Sequence, residues 1–141
     1  MIRAVIDTNV WVAGLLSRAG PPARVVDLSL AGTLTPVVSP AIVREYEHVL
    51  LRPDLGLAVA EVNAVMAYLK IPGSHVVQVD PAGQLSVCSD PDDDMFLEAA
   101  IEGQAAVVIT GNTRHYPASP WRGIRIIAPA AFMRALPLLM Q

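Results

Sequence analysis

The 141 residues suit one domain, and with 53% of them hydrophobic the chain has a sizeable core to bury, which excludes a disordered polypeptide. Mean hydropathy is +0.46, but no apolar run reaches the roughly 18 uninterrupted residues of a membrane span. A net charge of −3 excludes a protein that holds nucleic acid by bulk electrostatics alone, though not an enzyme acting on it.

The N-terminus meets Asp7 too early for a signal peptide, so a soluble, cytoplasmic protein with no membrane contact is expected. The lone Cys88 has no partner for an internal disulfide and reads as a buried thiol. Nine of the ten basic residues are Arg, a bias that GC-rich coding also produces and that carries little weight.

In chain order, Ile2 to Ile6 is an apolar run broken only by Arg3, as in a strand covered on both faces. Val10 to Leu16 predicts a short helix, and a second follows the Gly20-Pro21-Pro22 break, from Ala23 to Leu30, ending at Gly32. Thr33 to Val38 predicts a second strand, in which Pro36 favours an edge position or a bulge. Ser39 as N-cap and Pro40 at the first helical position open a helix to Leu51. Ala58 to Leu69 predicts another, ended by Pro72-Gly73, and His75 to Val79 a third strand.

Asp80 to Ser89 reads as a loop, and Asp90-Pro91-Asp92-Asp93 opens a helix through Glu102 with Gly103 as its C-cap. Ala106 to Thr110 predicts a central strand, 111 to 120 a polar loop, Ile124 to Ile127 a last strand, and Pro129 to Leu139 a final helix disturbed by Pro137. Strands alternating with helices, with no internal repeat, predict a single α/β domain over residues 1–141, built on a parallel sheet with helices on both faces.

In such sheets ligands bind outside the carboxyl ends of the strands. Asp7 and the Thr110-Gly111-Asn112 turn belong at that edge, and Glu45 and Asp93 lie near the starts of helices that begin there. Acidic groups gathered at one spot need a cation, and Mg²⁺ or Mn²⁺ favours such hard oxygen ligands. Asp93 falls in line with Phe96, Leu97 and Ala100 on the core-facing stripe, whereas Asp94 falls off it, so Asp93 is the better ligand candidate. Asp90, Asp92 and Asp94 also suit plain capping of the helix.

Glu45 and Glu47 both flank the stripe of Ile42, Val43, Tyr46, Val49 and Leu50, and periodicity does not separate them. Asp7 reads as a ligand because Thr8 and Asn9 already offer helix caps. Thr8 serves equally as an N-cap or as a hydroxyl bonding a carboxylate or substrate, and Asn112 by itself reads as a positive-φ turn residue. Arg114 and His115 are solvated loop residues or phosphate contacts, with the first reading slightly favoured. Trp11, Trp121, Tyr68 and Tyr116 are too scattered for a base-stacking platform.

Four segments in order, Ile6-Asp7-Thr8-Asn9-Val10, Ser39-Pro40-Ala41-Ile42-Val43-Arg44-Glu45-Tyr46, Asp90 through Ala100, and Val108-Ile109-Thr110-Gly111-Asn112, resemble the motifs of PIN-domain ribonucleases. The likeness covers nearly the whole chain and is closest to the toxins of bacterial toxin–antitoxin pairs, VapC-like proteins. It implies a three-layer α/β/α PIN-like fold and Glu45 rather than Glu47 as the second acid. It also implies Mg²⁺- or Mn²⁺-dependent hydrolysis of RNA, with a 5′-phosphate and a 3′-hydroxyl left behind.

On this likeness Asp7, Glu45, Asp93 and Asn112 are the catalytic set, the first three are the metal ligands, and Thr8, Asp90, Asp94 and Arg114 support them or contact substrate. Many PIN domains carry Asp where Asn112 stands, and the lost charge weakens a second metal site. The implied partners are RNA, a small antitoxin and a second copy of the chain. Apolar residues around Trp11, Val12, Leu15 and Leu16, or around Phe132, Leu136 and Leu139, serve such contacts or the monomer's own core.

The alternative is a catalytically impaired PIN-like module that binds RNA or protein. A phosphohydrolase with Asp7 as nucleophile would need a second Asp where Asn9 stands, and a receiver-like phosphoacceptor would need a Lys late in the chain, whereas the lone Lys is Lys70.

Overall fold

The computed structural model describes residues 1–71 and 74–141. Five strands, β1 (Ile2–Ile6), β2 (Leu34–Val38), β3 (Val77–Gln78), β4 (Val107–Ile109) and β5 (Arg125–Ile127), form one sheet in the order β3-β2-β1-β4-β5. Every neighbouring pair is parallel. Six helices complete the three-layer α/β/α arrangement: α1 (Thr8–Leu16), α2 (Pro21–Leu30), α3 (Pro40–Leu50), α4 (Val59–Lys70), α5 (Asp94–Glu102) and α6 (Pro129–Leu139). Among the described residues no helix is long and apolar enough to cross a membrane. The expected Pro72-Gly73 helix end lies outside the described residues.

The chain runs outward from β1 through β2 to β3, then returns to the other side of β1 for β4 and β5. Such a reversal opens a crevice at the carboxyl ends of the two strands flanking it, here β1 and β4. Register carries the ladder to that edge: the Asp7 N–H donates to the Ile109 carbonyl at 2.9 Å, and the Thr110 N–H to that of Ile127 at 3.0 Å. Asp7 and the turn after β4 are therefore fixed by backbone bonds.

β2 is an interior strand and not the expected edge or bulge. Pro36 is tolerated because β3 is short and pairs only with Val37 and Val38, so no ladder bond to β3 is needed at Pro36. Gly103 packs where a Cβ would meet Val37 Cγ1 at 2.4 Å, which lets the end of α5 approach β2.

The core joins Val5, Ile6, Trp11, Tyr46, Phe96 and Phe132, all essentially inaccessible. Trp11 packs against Tyr46 with ring centroids 5.9 Å apart. Trp11, Leu15 and Phe132 are thus interior, which decides for the monomer's own core at these three positions. Leu16 remains exposed, and Val12 is half-buried beside it.

Candidate active site

Asp7 sits in the N-cap position of α1 but its side chain makes no capping bond. Its Oδ2 instead accepts two hydroxyls, from Thr110 at 2.8 Å and from Tyr116 at 2.8 Å. The carboxylate is buried and oriented through one oxygen. Neither Thr8 nor Asn9 is the cap, since both lie inside α1. The Thr8 hydroxyl donates to Glu45 Oε2, and Asn9 Oδ1 accepts the Gly111 N–H at 3.0 Å. The start of α1 is thereby tied to α3 and to the turn after β4.

On α3, Ser39 caps the helix by accepting the Ile42 N–H at 3.2 Å, and the buried Tyr46 hydroxyl donates to the Ile6 carbonyl. That bond holds α3 against the end of β1 and turns Glu45 toward Asp7. Glu47 points elsewhere and pairs with Lys70 at 2.9 Å on the surface. The geometry separates two acids that periodicity leaves equivalent.

The acidic run is not one continuous helix. Asp90 accepts the Asp92 N–H at 3.0 Å and opens a short 3-10 turn, Pro91–Asp93, after which α5 begins at Asp94. Asp93 faces the crevice with its Oδ2 3.5 Å from His115 Nδ1. Asp94 is the buried acid, contrary to the expected helical face, and its Oδ1 accepts the N–H groups of Val87 at 3.0 Å and Cys88 at 2.9 Å. Burial pushes its pKa up, but these amides outweigh it and hold the carboxyl below its usual range. Asp94 therefore anchors the loop before α5 and does not line the crevice. Beside it, burial and the neighbouring Asp94 push the Cys88 thiol up to about 12.

After β4, Asn112 has φ −124°, so it is not the expected positive-φ turn residue. Its N–H donates to Thr110 Oγ1 at 3.0 Å, and the residue lines the crevice. His115, read from sequence as slightly favouring solvent, is drawn to Asp93. Arg114 lies on the other side of the turn and does not line the crevice. Of the two donors to Asp7, Thr110 lies in the turn that sequence places at this edge, whereas Tyr116 carries no local sequence signal.

Asp7, Thr8, Glu45, Asp90, Asp93 and Asn112 thus share one cavity of about 460 Å³. Val12, Ala13 and Leu16 of α1 and Val49 of α3 add an apolar part to its lining. Burial, the neighbouring Asp7 and Asp90 raise the Asp93 pKa to about 6, partly offset by His115. Burial raises Glu45 as well, opposed by the Thr8 hydroxyl and reinforced by Asp7. Burial and the nearby Asp7 push the Tyr116 phenol far above its ordinary range, so it stays protonated as a donor.

Among the described residues no three His, Cys, Asp or Glu side chains stand close enough to enclose an ion by themselves. Mg²⁺ commonly binds through one or two carboxylates and keeps several waters. A cavity lined by mutually repelling carboxylates, two of them with raised pKa values, fits a hydrated divalent cation of that kind.

A family model described as PIN domain matches residues 3–114, a span that contains the acids, Asn112 and the whole of α5. An uncharacterized protein of Methanocaldococcus jannaschii is 32% identical over 111 residues, covering 79% of this chain and 71% of the relative.

Proposed function

Because the chain belongs to the PIN-domain family, we propose that it is a Mg²⁺- or Mn²⁺-dependent endoribonuclease. PIN domains are in general nucleases, and PIN-domain nucleases generally use divalent metals. The observation that carries the reading is the convergence of Asp7, Glu45 and Asp93 from three separated segments on one cavity at the β1/β4 crevice. When bound, a divalent cation supplies Lewis acidity that activates water and neutralises charge on the attacked phosphodiester.

Asp7, Glu45 and Asp93 would hold that cation together with its waters. Thr110 and Tyr116 orient Asp7 through Oδ2 and leave Oδ1 for the cavity, while Thr8 orients Glu45. Asn112 offers a neutral amide at the rim, where its carbonyl oxygen can accept a hydrogen bond from water. Hydrolysis in this reading leaves a 5′-phosphate and a 3′-hydroxyl.

The biological setting we propose is a toxin restrained by a small antitoxin, the toxin itself pairing with a second copy of the chain. Support comes from the likeness of the four segments to such toxins and from the apolar α1 wall beside the acids. That combination suits a partner presenting a basic group next to an apolar one.

A second reading, a PIN-like module that binds RNA without cutting it, is favoured by two observations. Asn112 stands where an acid is common, and no three acidic groups close around an ion among the described residues.

The test is cleavage of a mixed single-stranded RNA panel in Mn²⁺, Mg²⁺ or EDTA, with Asp93→Asn as the contamination control. Metal-dependent cleavage that disappears in the variant supports the nuclease. RNA binding without cleavage under every condition, together with no Mn²⁺ binding by calorimetry, would establish the second reading.

A further inference from the structure

The turn from Asn112 to Tyr116 separates two cavities. Asn112 and His115 face the acidic one, whereas Thr113, Arg114 and Tyr116 face a groove of about 720 Å³ between the turn, β5 and the start of α6. Its floor is apolar, made by Pro117, Ile126, Ile127 and Ala131. Tyr116 links the two: it lines the groove, and its hydroxyl donates to Asp7 at 2.8 Å.

The groove also differs in charge from the cavity beside it. None of its lining residues is acidic. All of them come from residues 103–141, which hold four arginines and no Asp or Glu. Arg114 is exposed at the rim, and Arg134 is exposed one helical turn beyond Ala131 on α6.

We infer that this groove is a subsite for one nucleotide of the RNA strand beside the bond that is cut, with its base on the apolar floor and its phosphate on Arg114. The inference rests on the nuclease reading and names how its substrate is held. The volume is within the roughly 300–1000 Å³ usual for small-molecule sites. A polyanion is repelled by the carboxylates of the first cavity and attracted to a cationic rim next to it. Splayed single-stranded bases are commonly held on apolar and aromatic surfaces in this way.

An added peptide strand fits less well, because the outer edge of β5 is already covered. The Ile126 N–H donates to Ser119 Oγ at 2.9 Å, and Trp121 and Ile124 bond each other through their backbones.

The test is fluorescence anisotropy of labelled single-stranded RNA in EDTA, where binding is read without cleavage, on the full chain and on Arg114→Glu, Ala131→Trp and the remote charge control Arg52→Glu. Circular dichroism checks that each variant is folded. Both groove variants should weaken binding by about tenfold, and Arg114→Glu should lower the slope of log affinity against log salt by about one, whereas Arg52→Glu should not. A 4-thiouridine crosslink to the 113–119 peptide gives a readout that needs no variant.

Lost affinity in the groove variants alongside metal-dependent cleavage by the unaltered chain supports both readings. The same loss without any cleavage supports RNA binding in the groove, removes the nuclease, and with it overturns the placing of that nucleotide beside a cut bond. Unchanged RNA affinity in Arg114→Glu, with no crosslink to 113–119, overturns the subsite whether or not the chain cleaves, and leaves the groove to a protein segment.

Discussion

Tyr116 donates its hydroxyl to Asp7 Oδ2 at 2.8 Å across 109 positions of chain, and Thr110 donates to the same oxygen at 2.8 Å. The carboxylate at the crevice is thus held by donors that follow β4, while Asp7 itself follows β1. Removing one donor leaves Asp7 bonded but less constrained. Tyr116→Phe should therefore lower cation affinity or turnover by about 10- to 100-fold while costing only about 1–3 kcal/mol of stability. Mn²⁺ titration calorimetry and urea unfolding measure the two effects separately. A variant with unaltered affinity and turnover would show that Asp7 needs no such orientation.

The contrast between Glu45 and Glu47 gives a second prediction. Glu45 is held by Thr8 inside the acidic cavity, and Glu47 pairs with Lys70 on the surface. Glu45→Gln should abolish metal-dependent cleavage, and Thr8→Val should weaken Mn²⁺ binding about 10- to 100-fold by freeing the glutamate. Glu47→Gln should change stability by less than about 1 kcal/mol and leave cleavage alone, as exposed pairs contribute little. Equal loss in the Glu45 and Glu47 variants would refute the site.

Asp94 is predicted to matter for folding and not for metal. Its buried Oδ1 satisfies two backbone N–H groups, and truncation strands both. Asp94→Ala should cost about 2–4 kcal/mol in urea unfolding. Mn²⁺ affinity extrapolated to the folded fraction should stay near its original value. Loss of metal binding in a folded Asp94→Ala protein would instead place this acid in the site.

These neighbouring acids show where sequence reasoning reached and where it stopped. The alternation of strands and helices and the Ser39 cap were legible, because each follows from local periodicity or from a capping residue. Helical phase does not separate Asp93 from Asp94. Helical phase was carried back through residues 90–93, but these form a 3-10 turn, so the phase breaks and Asp94 becomes the inward acid. Pro36 misled for a related reason: its penalty depends on whether a neighbouring strand needs its N–H, and β3 begins one residue later. Tyr116 was not legible as a site residue, nor were the roles of Thr110 and His115 as partners of Asp7 and Asp93. They meet Asp7 and Asp93 only through the pairing of β1 with β4 and the fold of the turn that follows.

The raised pKa of Asp93 makes the stability of the metal-free protein depend on pH with a definite sign. Burial first, then Asp7 and Asp90, lift it from 3.8 to about 6. A proton is therefore held more tightly in the folded chain than in the unfolded one. The stabilisation this gives is fully present below about pH 3.8 and is lost as pH rises through about 6. Asp93→Asn removes the charge at every pH. In EDTA at pH 8 the variant should be more stable than the unaltered protein by at most about 3 kcal/mol, with the advantage fading toward pH 4. Adding Mn²⁺ should reverse the order, because a ligand that binds only the folded state raises stability in proportion to its affinity and the variant has lost a ligand. Mn²⁺ affinity of the unaltered protein should fall as pH drops below about 6, where the proton competes with the cation. Urea unfolding at pH 4, 6 and 8, with and without Mn²⁺, checks each step. If Asp93→Asn were no more stable than the unaltered chain at pH 8 in EDTA, the carboxylates would not be repelling one another and would have no electrostatic need of a cation.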